Sequence, residues 1–155
     1  MNERARRELE AWAIAAAGRE TRRRFGAPVG IGDEGAHPWV VVRPLTAREA
    51  LQREALGLRE ELEMGPDGTV GVVRRSYDLE AMVAFDLERC VVECRLPMAG
   101  DDGAVHWAGG DGEIDAQALL DRAPAGLMSW LMGCVDAVNL RRPEDAEVLA
   151  AAKKV

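Results

Sequence analysis

The stretch from Trp39 to Glu49 constrains the fold more than any other part of this sequence. It begins with Trp-Val-Val-Val-Arg, a β-branched run that predicts a strand, and Pro44 ends the run. Thr46 and Glu49 then have the spacing of a capping box. In that motif the threonine hydroxyl accepts a hydrogen bond from the third helical N–H, and the glutamate reaches back to the cap residue. The sequence therefore predicts a strand, a short connection and a helix in direct succession.

The helix that begins after Thr46 is expected to carry Leu51, Ala55, Leu58 and Leu62 on one face, because these residues recur at helical spacing. The tetrapeptide at 65–68, Gly-Pro-Asp-Gly, is typical of a turn. A second β-branched run follows it. The sequence thus predicts strands near 39–43 and 70–75 in one small antiparallel sheet. Further helices are expected at about 3–24, 78–95, 114–120, 124–139 and from Pro143 onward.

The pattern as a whole predicts an α+β fold, a mostly helical single domain with a small antiparallel sheet and an N-terminal helix. The length of 155 residues fits one domain. Residues 1–25 hold seven arginines and four glutamates and are expected to form a basic helix, although the whole chain has a net charge of −7. Residues 26–37 are rich in glycine and predict a linker. Residues 38–155 are expected to form the α+β domain.

The sequence predicts no catalytic, cofactor or metal site. It contains no P-loop, no GxGxxG after a strand, no HExxH and no GxSxG. His106 is the one candidate base, and a surface histidine is the more ordinary interpretation. Cys90, Cys94 and Cys134 have no framework spacing and are expected to be free thiols. Asp86 lies beside an apolar helical stripe and is expected to pair with Arg89 or Arg75 at its edge. The alternative is a buried acid with a role of its own.

The glycine-rich segment at 98–113 is expected to consist of turns around a short strand near 104–107. Its acidic residues do not have the spacing of an EF-hand loop. No stretch has the length and apolarity of a membrane span, and no signal peptide is evident at the N-terminus. We therefore expect a soluble, cytosolic protein.

Two sets of residues are candidates for binding a partner. The helix at 124–139 has an apolar face that includes Leu127, Trp130 and Leu131, and the alternative is that this face belongs to the core. The run Arg22, Arg23 and Arg24 is a candidate secondary contact. Such a run can also bind nucleic acid, although the acidic remainder of the chain argues against it, or form a solvated helix end.

Several short motifs resemble those of tailed-bacteriophage tail assembly chaperones. Residues 39–49 are similar to the family's opening "strand, R-P-L-T/S, charged helix", and 77–80 with 86–89 resemble its second segment. The Trp107 loop and the helix from 127 to 140, with its ending Ala-Val-Asn-Leu, resemble the closing segment. The similarity spans about residues 38–142. The N-terminal basic helix and its linker depart from the family pattern.

This resemblance implies a non-enzymatic protein of the bacterial host cytoplasm. It would bind the tape-measure protein, recruit tail-tube subunits and leave the finished particle. The genes of such chaperones often express a longer form by a −1 frameshift near the end of the short form. Lys153 and Lys154 are the only two lysines, and with Ala152 they permit a slippery codon heptamer. Alternatively, they complement the negative end of the last helix.

Other functions are left open by the sequence. A structural virion protein, such as a connector or minor tail component, is the first alternative, and it would remain in the purified particle. A nucleic-acid-binding protein that uses Arg22, Arg23 and Arg24 is the second, and its binding would depend steeply on salt. A small enzyme is the last. The sequence does not determine the oligomeric state, and a homo-oligomer is compatible with it.

Overall fold

The structure is a computed structural model, and it describes residues 2–8, 21–28, 37–99, 105–111 and 114–155. Its helices are α1 (residues 3–8), α2 (Ala47–Gly57), α3 (Leu79–Cys90), α4 (Ala116–Arg122), α5 (Ala125–Val138) and α6 (Asp145–Ala151). Its strands are β1 (Arg23–Gly26), β2 (Trp39–Val42), β3 (Leu58–Met64), β4 (Val70–Tyr77), β5 (Val91–Ala99), β6 (Val105–Asp111) and β7 (Lys153–Lys154). The predicted α+β class is confirmed.

The strands form two separate antiparallel sheets. The larger has the order β6-β5-β2-β1-β7, and the smaller is the hairpin β3-β4. The core lies between the five-stranded sheet and the helices α3, α4 and α5. Val40 and Val42 of β2, Leu87 of α3 and Leu131 of α5 are fully buried in it. The hydrophobic core is therefore built on the large sheet, and the hairpin lies outside it.

The predicted strand–connection–helix unit is confirmed in detail. The Thr46 hydroxyl accepts a hydrogen bond from the Glu49 N–H at 3.2 Å, and the Thr46 N–H donates to Glu49 Oε1 at 3.1 Å. Arg43 adds two parallel bonds of 2.9 Å from its guanidinium to the Glu49 carboxylate. The Leu45 N–H donates to Asn139 Oδ1 at 2.9 Å, which ties the connection to the end of α5. Each of these residues stabilises the connection between β2 and α2.

The Glu49 carboxylate predicts a pH dependence of stability. Its hydrogen bonds to Arg43, with those of Thr46 and the Arg43 charge, lower the pKa of Glu49 from 4.5 to about 2. A depressed pKa contributes stability that is complete above the unfolded value and is lost as the pH falls through the folded value. We expect Glu49→Gln to lower the free energy of unfolding by about 1–2 kcal/mol at pH 7, with the difference shrinking between pH 5 and 2. Urea unfolding of both proteins at a series of pH values measures this difference in stability. A difference that does not change with pH would contradict a lowered pKa of Glu49.

The helix that begins after Thr46 is shorter than the spacing predicts. It ends at Gly57, and Leu58 already has extended backbone angles and begins β3. Gly57 is buried against α3, where a Cβ atom at this position would overlap the side chain of Met82. Its carbonyl accepts a hydrogen bond from the Asp78 N–H at 2.7 Å. Close packing of the glycine on α3 thus fixes the point at which the helix gives way to the hairpin.

Substitution of Gly57 tests this packing. We expect Gly57→Ala to lower the free energy of unfolding by about 1–3 kcal/mol, because the added methyl group forces the buried Met82 side chain to move. Gly133, inside α5, is the matched control because open space surrounds its Cβ position. There, alanine is expected to raise stability by about 1 kcal/mol through helix propensity. Urea denaturation of both variants measures the change in the free energy of unfolding. If both changes had the same sign, the close contact of Gly57 with Met82 would be contradicted.

Two further predictions about the middle of the chain are wrong. The strands near 39–43 and 70–75 do not pair with each other, because β4 pairs with β3 across the tight turn at 65–68. The helix expected to extend to residue 95 ends at Cys90, and β5 follows without a break. The apolar residues after Cys90 pair with β2 and β6 instead. A strand is present at β6, as expected near 104–107, with residues 100–104 outside the described ranges.

The N-terminal organisation differs from the prediction where it is described. Residues 3–8 are helical as expected, and 9–20 lie outside the described residues. The arginine run is not a helix end, because Arg23–Gly26 forms strand β1 in the large sheet. The predicted basic helix of residues 1–25 therefore ends before Arg23. Within the predicted linker, Gly26 belongs to β1, and residues 29–36 lie outside the described ranges.

Lys153 and Lys154 do not lie in the last turn of a helix. Helix α6 ends at Ala151, and the two lysines form β7, which pairs with β1. Stabilisation of a helix dipole therefore does not account for them in this fold. Their possible role in a frameshift concerns the message and stays a prediction.

Candidate partner-binding surfaces

The hairpin β3-β4 presents an apolar face to solvent. The register places Leu58 opposite Tyr77 and Met64 opposite Val70, and residues opposite each other in a ladder project on the same side. Leu62 lies between them on β3, on that same side. We call these five residues the apolar hairpin face. Their exposed fractions run from 40% at Leu58 to 71% at Met64.

The other face of the hairpin is polar. Arg59, Glu61 and Glu63 alternate with the apolar residues along β3, and Arg74 and Ser76 lie opposite them on β4. The apolar face carries one ion pair of its own, Arg75 Nε to Glu60 Oε1 at 3.0 Å. The two faces are thus chemically distinct, although all seven residues of β3 are exposed.

The exposed apolar side chains of the hairpin are typical of a surface that binds a partner. A lone two-stranded hairpin is marginally stable in water, and exposed apolar patches on a folded protein mark interaction sites. On this hairpin the Glu60–Arg75 pair separates Leu58 and Tyr77 from the other three apolar side chains. The preceding helix α2 also leaves apolar side chains exposed. Leu51 is 73% exposed and Leu56 is 52% exposed. The single helical face predicted for Leu51, Ala55, Leu58 and Leu62 is wrong, because the last two residues lie in β3. The helix packs on the body through Glu49, Arg53 and Gly57 instead.

A second surface feature is a notch at the edge of the large sheet. It lies where β7 stops short of the end of β1 and has a volume of about 660 Å³. Helices α5 and α6 contribute Trp130 and Val148 to one side of it, and the sheet contributes Arg24, Gly26 and Trp39. Lys153 of β7 also lines it. We refer to this feature as the edge notch.

The edge notch is cationic. The Arg24 guanidinium lies over the Trp39 ring, 4.4 Å from its centroid, in a cation–π contact. Arg24 is directly opposite Lys153 in the β1-β7 ladder, and Arg23 is opposite Lys154. Like charges directly opposite each other across strands are destabilising. Among the described residues that line the notch, none is acidic.

The residues predicted to bind a partner have three different environments. Leu127 and Leu131 are buried in the core, 1% and 0% exposed, as the alternative interpretation of that helix face expects. Trp130 is partly buried and lines the edge notch, as Arg24 does. Arg22 is exposed on the segment before β1. Arg23 is buried, and this burial lowers its pKa. The structure therefore brings two of the six predicted residues, Trp130 and Arg24, into one surface feature.

Asp86 is fully buried, and its partners differ from those predicted. Its Oδ1 accepts hydrogen bonds from Arg53 Nε at 2.8 Å and from Arg141 at 2.9 Å, and its Oδ2 accepts from Arg141 at 2.8 Å. Burial opposes the charge of Arg141, but its bonds to Asp86 and Asp136 outweigh this and raise its pKa. Arg89 instead lies over the Phe85 ring, at 5.4 Å. The cluster joins α2, α3 and the end of α5, and it holds these elements together.

The three cysteines are buried thiols. Burial raises the pKa of Cys90 and of Cys134 to about 12 and that of Cys94 to about 11, so that all three are neutral at physiological pH. Within the ranges that the structure describes, no three His, Cys, Asp or Glu side chains are grouped so that they could hold a metal ion. The apolar hairpin face was not predicted from the sequence, although the turn at 65–68 between segments of alternating polarity was a signal for it.

Comparisons with protein-family models, with curated proteins and with solved structures found no match to this chain. None of the helices in the described part has the length and apolarity needed to cross a membrane.

Proposed function

We propose that this protein is a tail assembly chaperone of a tailed bacteriophage, which binds the tape-measure protein and recruits tail-tube subunits without catalysing a reaction. The observation that carries the proposal is the apolar hairpin face. It offers five large apolar side chains outside the core. The resemblance of residues 38–142 to that family supplies the identity of the partners.

The dimensions of the hairpin suit a helical partner. The seven residues of β3 extend about 23 Å, at about 3.3 Å per residue. This length matches about 15 residues of an α-helix, or about four turns. An amphipathic helix of the tape-measure protein could therefore lay one apolar stripe along the apolar hairpin face. Glu60 and Arg75, in the middle of that face, would meet charged residues at the edge of the stripe.

The motifs that carry the resemblance have structural contacts of their own. Arg43 and Glu49 bind each other, Thr46 caps α2, and Asn139 binds the Leu45 backbone. These residues stabilise the junction of β2, α2 and α5. The surface that would contact the partner lies beyond that junction, on the hairpin.

Co-expression tests the proposal. The tagged chain is produced together with the tape-measure and tail-tube proteins encoded in its own gene cluster, and the complex is isolated by affinity capture. We expect the tape-measure protein to stay soluble and to co-purify, and the tail-tube protein to join that complex. If neither protein is captured, the proposal is contradicted.

Purified virions separate the alternative functions. A chaperone is expected to be absent from finished particles by mass spectrometry, whereas a connector or minor tail protein would be present. Binding to DNA or RNA with a steep salt dependence would instead favour the nucleic-acid alternative. The burial of Arg23 argues against this alternative, because only Arg22 and Arg24 of the three adjacent arginines are accessible to a phosphate backbone.

A further inference from the structure

The edge notch exposes backbone hydrogen-bonding groups of β1. The Ala27 N–H donates to the Pro38 carbonyl on the β2 side, and the Val155 N–H donates to the Arg22 carbonyl on the β7 side. Successive residues of a strand point their backbone groups in alternate directions. Gly26 therefore directs its N–H and C=O to the β7 side. On that side β7 pairs only with Arg23 and Arg24, and beyond Lys153 the chain passes through Ala152 into α6. Ala151 and Ala152 line the notch, and no strand residue in the described ranges lies opposite Gly26.

The two sides of the edge notch differ in chemistry. Phe25 lies opposite Val40 on the core side of the sheet, and on this side Trp130 and Val148 complete an apolar wall. Arg24 and Trp39 lie on the opposite side of the sheet, where the guanidinium covers the indole ring. An extended chain beside Gly26 would place alternate side chains toward these two walls. The notch thus fits a strand whose side chains alternate between apolar and acidic.

The charge around the edge notch favours an anionic occupant. The β1-β7 ladder sets Arg24 against Lys153 and Arg23 against Lys154. A carboxylate placed between Arg24 and Lys153 would offset the repulsion of that cross-strand pair. Because Arg24 is exposed and already held over Trp39, it can form this contact without a large loss of side-chain freedom.

From these observations we propose that the edge notch binds a short extended segment of a partner protein, which adds as a strand beside Gly26 and places acidic residues on Arg24 and apolar residues against Trp130. This is the β-augmentation mode of peptide recognition. The site is distinct from the apolar hairpin face and does not depend on the proposed function.

The probe for this site is the acetylated and amidated peptide Ser-Glu-Val-Glu-Phe-Ser, in which acidic and apolar residues alternate. It is titrated into the full chain, with backbone amide resonances recorded by NMR and the affinity measured by calorimetry. We expect the glutamate peptide to bind at least about tenfold more tightly than a control in which lysine replaces both glutamates. The Gly26 amide is expected to shift and to exchange more slowly with solvent when the peptide is bound.

Substitution of Arg24 gives the decisive comparison. Arg24→Glu is expected to weaken binding of the glutamate peptide by about tenfold and to strengthen binding of the lysine peptide. Arg22→Glu is the matched control, since Arg22 is exposed but does not line the notch, and it should change neither affinity by more than about twofold. Equal affinities for both peptides would overturn the proposal, as would an unchanged Gly26 amide. A short oligonucleotide that competes for the same residues with higher affinity would also overturn it.

Discussion

Replacement of Asp86 by alanine is expected to lower the free energy of unfolding by about 3–5 kcal/mol, the usual cost of removing one partner from a buried ion cluster. The Asp86 carboxylate is fully buried and accepts three hydrogen bonds from Arg53 and Arg141. Without it, two guanidinium groups remain close together with less compensating charge. Arg141 keeps Asp136 at 2.9 Å, whereas among the described residues the acid left beside Arg53 is Glu54, at 3.5 Å. Urea unfolding followed by circular dichroism measures the loss.

Asp121 provides the control for the loss of an acidic side chain. It is exposed on α4 and accepts a single hydrogen bond, from Gln117 at 3.2 Å. Asp121→Ala is expected to change the free energy of unfolding by no more than about 0.5 kcal/mol. If Asp86→Ala cost under about 1 kcal/mol, the cluster would not be what holds α2 and α5 to α3.

Serine in place of both Leu62 and Met64 is expected to weaken binding of the tape-measure protein by at least about 100-fold, because the complex then loses the burial of two large apolar side chains. The effect on folding should be small. Leu62 is 64% exposed and Met64 is 71% exposed, so the free energy of unfolding is expected to change by less than about 1 kcal/mol. Calorimetric titration with the co-expressed partner measures the affinity, and urea unfolding measures the stability.

The opposite face of the same strand supplies the matched control. Serine in place of Glu61 and Glu63 changes two exposed residues of β3 that project away from the apolar hairpin face. This variant is expected to bind the partner within about threefold of the original chain. Equal losses in the two variants would show that the hairpin matters only as a folded unit, and no loss in either would place the binding surface elsewhere.

Local signals predicted the parts of the fold that depend on local interactions. Thr46 and Glu49 have the spacing of a capping box, which is typical of a helix start, and the structure contains both of its hydrogen bonds. The turn at 65–68 was predicted from residues whose backbone preferences suit it, with Gly68 at a φ of 79°. The helix from 124 onward was predicted from its apolar periodicity, and α5 begins at Ala125.

Strand pairing between distant segments was not predictable in the same way. Residues 58–64, Leu-Arg-Glu-Glu-Leu-Glu-Met, favour a helix by propensity, yet Gly57 ends α2 and the turn folds them onto β4. A solvated helix end was one interpretation of Arg23 and Arg24. Their pairing in β1 could not be predicted locally, because the residues opposite them, Lys154 and Lys153, are far away in the sequence. Of the candidate site residues, the two leucines of α5 could not be distinguished from core residues by spacing alone.

The two sheets described above differ in how far apart in the chain their partners lie, and this difference sets an order of folding events. The hairpin joins strands separated by one tight turn, and such units form in about 1–10 μs. The large sheet must bring Arg24 to Lys153 and Trp39 to Arg95, and pairings between segments so distant are slow, on the order of milliseconds or longer. The hairpin therefore closes faster than the large sheet assembles, but it is only marginally stable until the body of the protein has formed beside it. The apolar hairpin face thus becomes a lasting surface only when the large sheet and its helices are in place.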